Sequence, residues 1–177
     1  MDRPQAQLIK DYGGNSAPSK RAPFIFLFAH VVLPVFIGAA VYSLWRSKAL
    51  LLFAWYKWAG LYGPVLSLRA YFAGVKHFIP GPILYSLPDG LWVYSFTALM
   101  GYIWYQKPQR YARLFWTLLP ISMAVTAEIG QGLRLVPGTF DWADMSSYLV
   151  AWALATVSVR TFVGDKTPQF KLRGVHI

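Results

Sequence analysis

Hydrophobic positions in this chain do not alternate with polar ones. They come in long blocks. Residues 24–45, FIFLFAHVVLPVFIGAAVYSLW, form the first. The block matches the ~20 residues a helix needs to cross a bilayer core. Lys20 and Arg21 precede it, and Arg46 and Lys48 follow. It is too long for the apolar core of a signal peptide, so it is predicted to be a retained anchor. Pro34 inside it predicts a kink, because proline has no N–H to donate and crowds the turn before it. Further blocks cover about 86–105, 114–131 and 142–162. Pro88 suits a first helical turn, and Asp89 beside it faces the positive end of the helix dipole. Val136-Pro137-Gly138 stops the third block. Strand-like alternation is missing, which argues against a β-barrel. The expected fold is all-α: a polytopic integral membrane protein with a four-helix transmembrane bundle.

Residues 49–82 break the pattern. They are rich in Trp, Tyr, Phe and Leu, but Lys57, Arg69 and Lys76 punctuate them, and Gly60, Gly63 and Pro64 interrupt them. Aromatic residues mixed with lysine favour the membrane–water boundary. Interfacial helices are predicted here, with a partial crossing as the alternative. One transmembrane domain thus covers 24–162. A polar tail, 1–23, precedes it and a basic tail, 163–177, follows.

Composition agrees with this reading. The chain is 56% hydrophobic and 14% charged, where soluble domains carry about 25% charged residues. Net charge is +10. In a soluble protein that balance suggests nucleic acid; here the basic residues flank apolar blocks, so anionic lipid and topology explain it better. No nucleic-acid partner is expected. Cysteine is absent, which removes disulfides and thiolate chemistry. Four spans put both termini on one side. That side holds eleven of the 17 Lys and Arg residues, and the other holds six. The positive-inside rule makes the first side cytoplasmic.

The scarce acids are not scattered. Of 7 acidic residues, Asp89, Glu128, Asp141 and Asp144 fall at the outer boundary of this topology. Glu128, Gln131 and Arg134 are spaced so that a continuous helix would hold them within an arc of about 120°. An ionisable group inside a membrane helix costs roughly 2.5–3.5 kcal/mol. A partner or a function offsets that, and Arg134 is the natural partner for Glu128. Asp141 is a good N-cap for the last helix, with Asp144 placed as in a capping box. Ser146, Ser147 and Tyr148 add hydrogen-bond donors one turn on. Two readings stay open: a structural polar clamp, or a ligand site built on the same clamp. Glu128 as a general base would need a nucleophile or activated water that the sequence does not identify, so a non-enzymatic role is preferred.

No cofactor is the leading expectation. The alternatives are a divalent cation at the carboxylates and a tetrapyrrole on His30, although a lone membrane histidine more often packs against a neighbouring helix.

Glu128-x-x-Gln131, a glycine-containing turn, and Phe140-Asp141-x-x-Asp144 opening the last apolar block together resemble the VanZ-like membrane proteins. The resemblance is to a diverged member and is strongest over 127–151; Tyr148 and Ala151 stand where the family usually has Asn and Gly. It implies a multi-pass protein of the bacterial cytoplasmic membrane with a role in the cell envelope. The expected function is binding of a polar or anionic lipid-linked headgroup at the outer cluster. The rival is a small accessory subunit of a larger membrane complex, bioenergetic or pigment-binding, with the cluster as a clamp. Expected partners are membrane lipids and, on the rival reading, other membrane subunits.

Overall fold

A computed structural model describes residues 21–105 and 107–164. Of the tails expected at 1–23 and 163–177, residues 1–20 and 165–177 lie outside the described residues, while 21–23 and 163–164 belong to helices. The described residues are helical, with no strand among them. Helix α1, Arg21–Leu27, passes through a π-helical turn, Phe28–Val32, into α2, Leu33–Trp45. The disturbance at Pro34 takes the form of this π turn. Pro34 offers no N–H to the carbonyl four residues back, and the backbone widens so that Leu33 N–H bonds to Phe28 O.

Residues 49–82 fold into short pieces: α3, Leu51–Trp58; α4, Tyr62–Tyr71; a 3₁₀ segment, Ala73–Phe78; and the start of α5, Gly81–Tyr85. At 1.5 Å per residue, α3 and α4 are only about 12 and 15 Å long, too short to cross a bilayer. Three long helices follow: α6, Leu87–Tyr105; α7, Arg110–Gly132; and α8, Trp142–Gly164.

Among the described residues, three helices are long and apolar enough to cross a membrane: Ala22–Trp45, Arg110–Gly132 and Trp142–Val163. Helix α6 is of similar length but carries Asp89, Ser95 and Thr97. Its position explains that polarity. It packs most extensively on α8, then on α7 and α2, so little of it faces outward. Small residues let its neighbours close in. A methyl group added at Gly90 would lie 3.2 Å from Ser147 Oγ, and one at Gly101 3.1 Å from Val159. Phe26, Ala98, Ala155, Val159 and Val163 fill one core layer. Val93, Ile121, Tyr148 and Ala151 fill another.

Arg69 ties the short helices to the bundle. Its Nη1 donates to Ser43 O at 2.7 Å and its Nη2 to Arg46 O at 3.0 Å. These carbonyls belong to the C-terminal end of α2, where backbone acceptors lack helical partners and the dipole favours a cation. Trp45 Nε1 donates to Phe72 O at 3.1 Å from the opposite direction.

Candidate functional site

The polar side chains gather where α2 ends, α6 begins, α7 ends and α8 begins. Asp89 sits in the first turn of α6. Tyr42, on the last turns of α2, donates its hydroxyl to Asp89 Oδ1 at 2.5 Å. The guanidinium of Arg46, one turn further on, lies 5.0 Å from the ring centres of both Tyr42 and Tyr85. Its charge reaches Asp89 from there.

Glu128 is 2% exposed. Its Oε1 accepts the backbone N–H of Asp141 at 2.5 Å, so one side chain of α7 holds the start of α8. Asp141 in turn caps α8, its Oδ1 accepting the Ala143 N–H at 2.8 Å. Asp144 is on the first turn of α8. In a capping box this third residue would accept the N–H of the cap. Here Glu128 takes that N–H, and the buried Oδ1 of Asp144 has no hydrogen-bond partner. Ser147 Oγ lies 2.8 Å from Asp144 O and 3.2 Å from Ser86 O, joining α8 to the residue before α6.

Between α6, α7 and α8 is a cleft of about 260 Å³. Asp89, Glu128, Gln131 and Tyr148 give it a polar lining; Trp92, Val93, Met123 and Ala124 give it apolar walls. Gln131 is held against Gly138, where a methyl group would fall 2.5 Å from its side chain.

Arg134 is not part of this arrangement, contrary to the expected Glu128–Arg134 pair. Helix α7 stops at Gly132, and Arg134 has a φ of 60°. The left-handed turn takes it off the face that Glu128 and Gln131 share. Its side chain is exposed, and it forms no ion pair among the described residues. The basic residue on the Asp89 side is Arg46, which lies over the ring of Tyr42, the residue bonded to Asp89. The available sequence signal was Tyr42-x-x-x-Arg46, one turn apart at the outer end of the first block.

His30 lies in the π turn, far from the acids along the bundle. Its Nδ1 is 2.5 Å from Tyr94 Oη, and its ring stacks on Phe26 with centroids 4.5 Å apart. Among the described residues, no group of three or more His, Asp or Glu side chains is placed to hold a metal ion.

Comparison with family models, curated proteins and solved structures finds no match to this chain. Fold and site define its class: an all-helical protein with three helices suited to crossing a membrane and a carboxylate-lined cleft at one end of the bundle.

Proposed function

We propose that this is a VanZ-like protein of the bacterial cytoplasmic membrane. It has four spans, with α6 as the second of them, and both termini are cytoplasmic. It binds the polar headgroup of a lipid or lipid-linked molecule in the outward-facing cleft. One observation carries this reading: the cleft joins a carboxylate floor to an apolar rim. Glu128 and Asp89 lie inside, while the rim residues Trp92 and Met123 are 44% and 51% exposed. Such a lining suits an amphiphile whose headgroup enters and whose tail stays in the bilayer. With two carboxylates and no basic side chain in the lining, the matching headgroup presents hydrogen-bond donors, either an ammonium or sugar hydroxyls. An anionic group held by Arg134 has no support, because Arg134 lies outside the cleft.

The subunit reading keeps one supporting observation. Trp58 is 91% exposed and Phe78 86% exposed on the short helices, a surface suited to the membrane boundary or to a partner. Purification in mild detergent, followed by extraction and mass analysis of what accompanies the chain, tests the two. A stoichiometric amine- or hydroxyl-bearing lipid supports the binding reading. Stoichiometric larger membrane proteins without such a lipid overturn it in favour of the subunit.

A further inference from the structure

At the other end of the bundle, where α6 ends and α7 begins, is a larger cavity of about 590 Å³. Arg110, Arg113 and Arg160 all line it, and no acidic side chain does among the described residues. Arg113 spends one N–H on Tyr105 O, at 3.0 Å. The guanidinium groups of Arg110 and Arg160 make no ion pair among the described residues. Three cations around one cavity repel one another unless an anion joins them.

Two further features ask for the same thing. Helix α7 opens with Arg110 and Arg113 and has no acid in its first turn, and its N-cap residue Gln109 makes no side-chain cap. Cations at the positive end of a helix are unfavourable, whereas an anion there meets free N–H groups and the dipole. Thr97, in the cavity wall, is 1% exposed, and its buried Oγ1 has no hydrogen-bond partner. A buried hydroxyl left unpaired costs stability that a ligand oxygen would restore.

We propose that this cavity binds a phosphate group, carried by an anionic phospholipid of the adjacent leaflet. Arg110, Arg113 and Arg160 hold the phosphate oxygens, and Thr97 Oγ1 donates the remaining hydrogen bond. Tyr105 and Leu114, also in the lining, give the first carbons of the lipid an apolar surface. The positive-inside rule places this end at the cytoplasm, where anionic lipids and basic pockets between helices meet. The site is independent of the outer cleft.

The test uses the full chain in phosphatidylcholine nanodiscs containing a minor share of phosphatidylglycerol. Native mass spectrometry counts the phosphatidylglycerol retained. Wild type is expected to keep it selectively. Arg110→Gln and Arg160→Gln, both at exposed side chains, should each weaken retention about fivefold, as expected for one basic residue near a membrane surface. The triple variant with Arg113→Gln should abolish it. Thr97→Val keeps the side-chain shape and should weaken retention without unfolding the protein. Arg134→Gln removes the same charge elsewhere and should change nothing. In a second arm, inorganic phosphate is titrated against tryptophan fluorescence in nanodiscs of phosphatidylcholine alone. A phosphate response lost in the triple variant, without selective lipid retention, supports the phosphate site and assigns it to a soluble ligand. Equal retention by wild type and triple variant with no phosphate response overturns the proposal. So does an Arg134→Gln loss as large as that of Arg110→Gln, which would reduce the effect to surface charge.

Discussion

Glu128 and Asp141 are joined by a hydrogen bond from the Asp141 N–H to Glu128 Oε1, 2.5 Å long. Helix α7 thereby accepts the N–H that Asp144 would accept in a capping box, and Asp144 is left with an unpaired buried oxygen. A local motif has become a tertiary contact. Glu128→Gln retains an acceptor for that N–H and should leave the fold close to wild type. Glu128→Ala leaves a buried donor unmet, at a cost of about 1–3 kcal/mol. Thermal unfolding in detergent separates them; equal loss in both variants would mean that the acceptor is not what matters.

Gly138 should be sensitive to the smallest side chain. Its φ of 139° is one that L residues rarely adopt, and the added methyl group would fall 2.5 Å from Gln131. Gly138→Ala is expected to cost about 1–3 kcal/mol. Gly74, with open space around it, is the control, and Gly74→Ala should stay within about 0.5 kcal/mol. Unfolding curves that do not distinguish the two would contradict the packing of the 133–141 turn.

Arg69 caps α2 through two carbonyls. Bonds from a charged donor are worth roughly 1.5–3 kcal/mol. Arg69→Gln should therefore speed amide hydrogen exchange over the last turn of α2 and over α4 by about tenfold or more. Arg69→Lys should not restore protection, because an ammonium lacks the two-pronged fork. Unchanged exchange would show that the short helices are held by other contacts.

The helical fold was legible because apolar block length reports helix length directly, and the long helices lie over the apolar blocks. Asp89 and Glu128 line one cleft, as alternating helix directions bring the start of one long helix and the end of the next to the same end of the bundle. The partners were not legible. Arg134 was assigned to Glu128 by extending helical periodicity past Gly132, where the helix ends. Tyr42 and Arg46 reach Asp89 across more than forty residues of chain, and no local pattern encodes that. The capping-box spacing of Asp141 and Asp144 was real, but a buried acid from another helix outcompeted the local one.

The proposed topology makes a direct prediction, because the chain has no cysteine of its own. With Thr139→Cys, a membrane-impermeant thiol reagent should label intact cells. With Ser19→Cys, it should label only after permeabilisation. Equal labelling of both positions from outside would contradict a four-span arrangement with cytoplasmic termini.

On the proposed function, Asp89 and Glu128 hold a donor-bearing headgroup, and lipid occupancy in native mass spectra of the purified chain reports on that binding. Wild type should carry one amine- or hydroxyl-rich lipid per molecule. Glu128→Gln and Asp89→Asn, which remove charge but keep shape, should each lower that occupancy about tenfold, in line with the ~1.5–3 kcal/mol of a hydrogen bond to a charged group, whereas Arg134→Ala should leave it unchanged. Occupancy that survives both carboxylate variants, or that falls with Arg134→Ala instead, would rule out a headgroup held by these carboxylates.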